Sequence, residues 1–343
     1  MTLPIHSILS KLKKTLAAHQ SVILQAPPGA GKTTQVPLSL VDEDWLKGQK
    51  ILMLEPRRLA AGNAARYMAE LCNEKVGQSV GYTVRYLKQT SRQTRIEVVT
   101  EGILTRRLQS DPELKGVGLV IFDEFHERNL NSDLALALCH DAQQGLREDL
   151  KILIMSATLD GEPLAKLLNA PLLTSEGRSF PVTVYYTKQE NRDIVEATTA
   201  SIRRALQDTE GDILTFLPGA GEINRCRNAL KGIKGVDIRP LYGSLPYHEQ
   251  EAGIKTGKQR KVVLATNIAE TSLTIEGVRV VIDSGFARQP RFDPCSGLTR
   301  LKKVRISQAS ADQRTGRAGR LGPGTCYRLW SEGTHGSMLP FTP

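Results

Sequence analysis

The stretch Ala26-Pro27-Pro28-Gly29-Ala30-Gly31-Lys32-Thr33-Thr34 follows the apolar run Val22-Ile23-Leu24 and has the residue types that hold a polyphosphate. Glycines at 29 and 31 let successive backbone N–H groups turn toward one anion, with Ala30 between them. Lys32 reaches the outer phosphates, and the Thr33 hydroxyl ligates Mg2+. The helix expected from Thr34 onward presents its positive end to the same anion. The usual spacing has a glycine where Ala26 stands, and alanine is small enough to keep the turn.

Asp123-Glu124-Phe125-His126 ends the apolar run Val117–Phe122. Adjacent carboxylates at a strand end suit two tasks. Asp123 holds Mg2+ through its water shell, and Glu124, beside the metal, takes a proton from attacking water. Ser156-Ala157-Thr158 ends the next apolar run with two small hydroxyls that could link this pair to the rest of the machinery. Further on, Gln313-Arg314-Thr315-Gly316-Arg317-Ala318-Gly319-Arg320 spaces its arginines at i, i+3 and i+6, the pattern of one helical face. Arg317 and Arg320 are expected to supply charge to a terminal phosphate, and Gln313 to orient the water. Two glycines inside such a helix argue against a purely structural face.

Those residues need elements to carry them. Apolar runs at 22–25, 51–54, 96–99, 117–122 and 151–155 read as buried strands, with helices at 7–19, 57–73, 101–110 and 130–146. This alternation is the signature of βαβ units in a mainly parallel sheet with helices on both faces. A second series begins after Arg178-Ser179-Phe180-Pro181, with strands at 182–186, 212–217, 236–242, 261–266 and 278–283 and helices near 194–208, 220–230 and 246–256. The expected organisation is a domain over 1–178 and another over 179–343, with a nucleotide site in the cleft between them. Turn residues at Asp293-Pro294-Cys295-Ser296-Gly297 predict a β-hairpin over about 286–306, inserted in the second domain. Its arms carry Arg288, Arg291, Arg300, Lys302, Lys303 and Arg305. The tail after Cys326–Trp330 has no evident closing element, which suggests a fragment of something longer.

The 343 residues carry a formal net charge of +10, which favours an anionic partner. No apolar run approaches the roughly 20 residues of a membrane span, and no secretory segment follows Met1, so a soluble intracellular protein is expected. Cys72, Cys139, Cys226, Cys295 and Cys326 are far apart, without ligand-spaced partners, and predict neither zinc nor disulfides.

Taken together, Ala26–Thr34, Pro56-Arg57-Arg58, Thr100-Glu101-Gly102, Asp123–His126 with Glu127-Arg128, Ser156-Ala157-Thr158, Tyr242–Pro246, Ala265–Ile275 and Gln313–Arg320 occur in the order found in superfamily 2 DEAH/RHA helicases. The chain resembles that family over nearly its whole length, and most of all its bacterial HrpB-like branch.

The resemblance implies two tandem RecA-like domains, ATP (or other nucleoside triphosphates) with Mg2+ as cofactors, and single-stranded RNA as partner, in a bacterial cytoplasmic protein; a monomer is expected because no heptad pattern or long apolar face argues for a stable oligomer. It implies that His126 couples the site to the second domain and that Glu276 contacts the ribose. Arg57, Arg58, Thr100, Ser244, Thr266 and Asn267 would contact the nucleic-acid backbone. Phe125 stands where the box usually has alanine, a packing difference. Tyr67 and Ile254 stand where relatives sandwich the base. The family's winged-helix, ratchet and OB-like domains would follow this stretch. A DNA-directed translocase and a nucleotide-gated RNA clamp remain the alternatives.

Overall fold

The strands of the first half alternate which face each side chain serves, so both faces of one sheet are buried. The computed structural model describes residues 3–27, 29–127, 129–157, 161–175, 180–188, 193–270 and 275–341. Pro28, Arg128, Thr158, Arg178, Ser179 and 271–274 of the motifs above lie outside the described residues. The chain divides into two compact units, Met1–Arg178 and Ser179–Pro343.

The first unit contains strands β1 (Ser21–Gln25), β2 (Lys50–Glu55), β3 (Val80–Val84), β4 (Leu87–Gln89), β5 (Ile96–Thr100), β6 (Val117–Phe122), β7 (Lys151–Ser156) and β8 (Leu172–Thr174). Its helices are α1 (His6–Ala18), α2 (Lys32–Leu40), α3 (Arg58–Leu71), α4 (Glu101–Ser110), α5 (Leu130–Gly145) and α6 (Gly161–Leu168). The sheet order is β4-β3-β5-β2-β6-β7-β1-β8, parallel except where β3 meets β4. Ile51 and Met53 pack in one apolar cluster with α1 and α3 residues such as Leu12 and Met68. Leu52 and Leu54 point the other way, into a cluster with Leu104 of α4 and Ala135 of α5. The register pairs Gln25 with Ser156, Phe122 with both Leu54 and Ile154, and Glu55 with Thr100. The residues that follow each of these strands therefore gather along one edge of the sheet.

The second unit contains β9 (Val182–Tyr186), β10 (Asp212–Phe216), β11 (Val236–Leu241), β12 (Arg260–Ala265), β13 (Val278–Asp283) and β16 (Gly324–Arg328), in the all-parallel order β11-β12-β10-β13-β16-β9. Its helices are α7 (Ile194–Asp208), α8 (Ala220–Ala229), α9 (Tyr247–Ile254), α10 (Gln308–Gly316) and α11 (Glu332–Ser337). Ile213, Val262, Leu264, Val280 and Ile282 pack against Ile202 of α7 and Ile223 of α8. The antiparallel hairpin of β14 (Phe286–Asp293) and β15 (Leu298–Arg305) is a separate sheet with mostly exposed strands. In it Arg291 faces Arg300, and Arg288 faces Lys303.

The tail is not bare of structure: α11 follows β16, and Ser331 caps it by accepting from the Thr334 N–H. The arginine-rich stretch also differs from expectation. The helix ends at Gly316 and Arg317 is its C-cap, so the three arginines do not share a helical face. Gly319 lies beyond the helix, where a Cβ would stand 2.6 Å from the Phe180 carbonyl oxygen. That glycine is required by packing, a structural reason the spacing did not reveal.

Candidate nucleotide site and nucleic-acid contacts

The end of β1 and the start of α2 make the phosphate loop, and both of its glycines have left-handed backbones, φ +82° at Gly29 and +92° at Gly31. Such angles suit glycine, and a Cβ on Gly31 would meet Leu3 Cδ1 at 2.8 Å. Ala30 is buried, and Thr34 is partly so in the first turn of α2.

Lys32 is 3% exposed, and its Nζ lies 3.0 Å from Glu124 Oε1. Thr33 Oγ1 donates to Asp123 Oδ2 at 2.5 Å, while Asp123 Oδ1 accepts from the Glu124 N–H at 2.8 Å. The four residues that sequence spacing assigns to phosphate, metal and water thus stand together. Glu124 has φ +50°, a backbone conformation uncommon for a residue with a side chain and often kept where function requires it.

His126 sits in the short 3-10 turn Phe125–Glu127, and the Ala157 N–H donates to its Nδ1 at 3.4 Å. Nδ1 thus stands between a backbone donor and, at 3.3 Å, the Glu124 carboxylate. Burial pushes the His126 pKa down, so the 3.3 Å approach of Glu124 Oε2 to Nδ1 becomes an ion pair only if the ring gains a proton. The Ser156 hydroxyl is buried without a hydrogen-bond partner among the described residues. Phe125 is buried edge-to-face on Phe122, with ring centroids 6.1 Å apart, which is the packing role expected for it.

Glu55, at the end of β2, completes the acidic side of the site, and no role could be read for it from the sequence. It is fully buried, and neither carboxylate oxygen has a hydrogen-bond partner among the described residues. Burial, then Asp123 and Glu124, hold its carboxyl well above the usual range. Asp123 is raised to about 6, mainly by burial, with Lys32 opposing. Burial works against the Lys32 ammonium, yet Glu124 and Asp123 outweigh it and the Lys32 pKa rises.

This oxygen-rich, acid-heavy pocket fits a hard divalent cation. Among the described residues no group of three or more His, Cys, Asp or Glu has metal-holding geometry. Mg2+ bound with a nucleotide keeps most of its shell in phosphate and water oxygens and needs one or two protein ligands. Thr33, Asp123 and Glu124 are the residues expected to serve it.

Arg57 precedes α3 and Thr100 precedes α4, both on the same sheet edge as the phosphate loop. Arg57 and Glu101, the residue after Thr100, are tied to the segment after Asp123. Arg57 Nη2 lies 3.2 Å from Glu127 Oε2, and Asn129 Nδ2 donates to Glu101 Oε1 at 2.6 Å. Arg58 is exposed.

In the second unit the Thr266 N–H donates to the Leu241 carbonyl at 3.1 Å, which brings Thr266 and Asn267 beside the turn holding Ser244. Ser244 and Asn267 are exposed. Glu276 lies elsewhere, before β13, at the opposite end of the parallel sheet, where its N–H donates to the Ile254 carbonyl at 3.4 Å. It is exposed, as is Tyr67 of α3 in the first unit.

Arg314 is internal to its unit. It is 1% exposed, with Nη1 2.8 Å from Asp283 Oδ1, Nε 2.9 Å from Glu270 Oε2, and its guanidinium over the Phe216 ring at 4.7 Å. Arg317 donates from Nε to the Glu270 carbonyl at 2.9 Å, so one residue secures both arginines. Gln313 and Arg320 are partly exposed. Asp283 and Glu270 end or follow apolar strands, a pattern that could have flagged them.

A phosphate loop and an acidic strand end on one parallel sheet, followed by a second parallel-sheet unit with an arginine-rich helix end, define a helicase motor architecture. Residues 7–167 match the DEAD/DEAH box helicase family and residues 193–322 the helicase conserved C-terminal domain, and the chain belongs to this family. It is 53% identical over 337 residues to ATP-dependent RNA helicase HrpB of Escherichia coli (strain K12), covering 96% of this chain and 41% of that protein. Against ATP-dependent RNA helicase DHX33 of Drosophila melanogaster it is 38% identical over 357 residues, covering 99% and 51%. The crystal structure of Escherichia coli DEAH/RHA helicase HrpB superposes with a TM-score of 0.93 at 50% identity, over 99% of this chain and 44% of that one. A crystal structure described as E. coli DExH-box NTPase HrpB gives 0.86 at 49% identity, over 100% and 43%. The chain thus spans about half or less of the length of these relatives. Among the described residues no helix is long and apolar enough to cross a membrane.

Proposed function

We infer that this chain is the motor of an ATP-dependent RNA helicase, hydrolysing a nucleoside triphosphate and moving on single-stranded RNA. The observation that carries this reading is the joining of Lys32 to Glu124 at 3.0 Å and of Thr33 to Asp123 at 2.5 Å. When bound, Mg2+ supplies charge neutralisation at the phosphate oxygens, held by Thr33 and Asp123. The backbone N–H groups from Gly29 to Thr34 orient the phosphates. Lys32 exchanges its Glu124 partner for phosphate, which leaves the Glu124 carboxylate able to accept the proton of the attacking water. Gln313 orients that water, and Arg317 and Arg320 offset the charge that develops on the phosphoryl group. His126 couples these residues to the second unit, and Glu276 contacts the ribose.

Arg57, Arg58, Thr100, Ser244, Thr266 and Asn267 hold the strand by its phosphates, which gives affinity without sequence preference. The protein acts as a monomer in the bacterial cytoplasm.

Steady-state ATP hydrolysis with and without single-stranded RNA, over a series of salt concentrations, tests the assignment. Turnover should be stimulated by RNA, the stimulation should weaken with salt, and Glu124→Gln should lower turnover at least about 100-fold. Turnover independent of Glu124 would refute the site. Glu124-dependent turnover indifferent to RNA would refute the strand coupling, and equal stimulation by deoxyribo-oligonucleotides would favour the DNA-directed reading.

A further inference from the structure

We propose that Glu127 is a positioning residue that competes with nucleic-acid phosphate for Arg57 and thereby relays strand binding to Glu124. The proposal rests on the reading of Arg57 as a phosphate contact and Glu124 as the water's base.

The geometry joins the two in three short steps. Arg57 stands at the head of α3 with an extended backbone, φ −123° and ψ 132°, and its Nη2 lies 3.2 Å from Glu127 Oε2. The Glu127 N–H closes a tight turn by donating to the Glu124 carbonyl at 2.9 Å. Glu124 itself is held at φ +50° with its carboxylate on Lys32. A displacement of Glu127 therefore acts on the backbone of Glu124 through one hydrogen bond and two intervening residues. The segment beyond is anchored, because Asn129 caps α5 through the N–H groups of Asn131 and Ser132 while donating to Glu101. Motion is thereby directed toward Glu124.

The Arg57–Glu127 pair is also placed to be opened. Its side chains are 24% and 16% exposed, accessible to a phosphate yet shielded enough that the pair holds without one. A guanidinium binds phosphate best through two parallel N–H groups, and a carboxylate 3.2 Å from Nη2 takes up one of those donors and repels the anion. Strand phosphate and Glu127 are thus alternatives for Arg57. A phosphate that takes Arg57 removes that hold on the Glu127 side chain and so shifts the turn that carries Glu124.

Two readouts test this: fluorescence anisotropy of a fluorescein-labelled oligouridylate without nucleotide, and the ratio of RNA-stimulated to basal hydrolysis. Glu127→Gln keeps the side chain's shape and removes its charge. It should tighten RNA binding about threefold to tenfold, as expected for a partly shielded ion pair lost to competition. It should also raise basal hydrolysis and lower the stimulation ratio. On an Arg57→Ala background the same substitution should not tighten binding. Glu127→Gln that leaves RNA affinity unchanged, or tightens it equally without Arg57, overturns the relay, as does an equal scaling of basal and stimulated rates. If Arg57→Ala leaves RNA affinity unchanged, the phosphate-contact reading falls and the relay with it. If Arg57→Ala weakens binding while Glu127→Gln is silent, only the relay falls.

Discussion

Replacing Arg314 with methionine keeps most of the side chain's length and deletes the charge around which Asp283 and Glu270 are arranged. Two charge-assisted bonds, 2.8 Å to Asp283 and 2.9 Å to Glu270, disappear, together with the guanidinium over Phe216. Asp283 is 0% exposed and keeps the Gly285 N–H at 2.9 Å, while its Oδ2 has no partner among the described residues. Breaking such a buried pair costs about 3–5 kcal/mol, a large share of the roughly 5–15 kcal/mol that holds a domain folded. The loss should depend on pH. Burial already raises the Asp283 carboxyl, and without Arg314 it rises further. A carboxyl raised in the folded state binds more protons there than when unfolded, so stability falls as pH climbs from its unfolded value toward its folded one. The deficit of Arg314→Met should therefore be smaller at pH 5 than at pH 8. The two tryptophans fall one in each unit, Trp45 and Trp330, so in a Trp45→Phe background urea unfolding followed by fluorescence reports the second unit alone. Adding Asp283→Asn to Arg314→Met should recover part of the loss. A deficit below about 1 kcal/mol, or one equal at both pH values, would refute the argument.

A second ion pair supports the first unit. Glu97 is 5% exposed, accepts from Arg107 at 3.1 and 2.8 Å and from Thr83 at 2.7 Å; burial raises its pKa, but these partners outweigh burial and it lies below the usual value. Its contribution is complete above the unfolded pKa and is lost as pH falls through the depressed one. Glu97→Gln should therefore cost about 1.5–3 kcal/mol at pH 7 and progressively less below pH 4 in urea titrations read by Trp45. On the hairpin, Arg291 opposes Arg300, so Arg291→Glu should leave the hairpin folded, because opposite charges then face each other, yet weaken RNA binding. The salt dependence of binding, plotted as log K against log salt, should lose about one to two units of slope; an unchanged slope would show that Arg291 makes no phosphate contact.

The strands that place the site were legible because each is an apolar run closed by polar residues. Val117–Phe122 and Val278–Asp283 have the expected bounds, and helices 101–110 and 194–208 also agree. The edge strand β4 and its neighbour β3 escaped notice because β4 is wholly exposed and Gly81 and Thr83 interrupt β3, which leaves no apolar run to read. Helix α11 was hidden by Gly333 and Gly336, which lower helix propensity, while its Ser331 cap was a local signal. Within the site, spacing identified Lys32, Thr33, Asp123 and Glu124, because their roles depend on residue type and strand order. Spacing could not separate Arg314 from Arg317, since only tertiary packing decides that one arginine faces Asp283 and the other a backbone carbonyl. Glu55 carried no pattern either, because a glutamate ending a strand is ordinarily solvated.

The strand leading into the phosphate loop is early in the chain but seventh across its sheet, and its neighbours β7 and β8 are residues 151–156 and 172–174. During synthesis Ser21–Gln25 therefore waits without its final partners until more than a hundred further residues have emerged. Closing so long a loop is slow and is rewarded only at its end. The pocket for phosphate is therefore expected late in the folding of the first unit. A nascent chain cannot be rescued by nucleotide before that insertion, and any lesion that loosens β7 should abolish ligand capture outright while the β2-β5-β6 part of the sheet remains able to form.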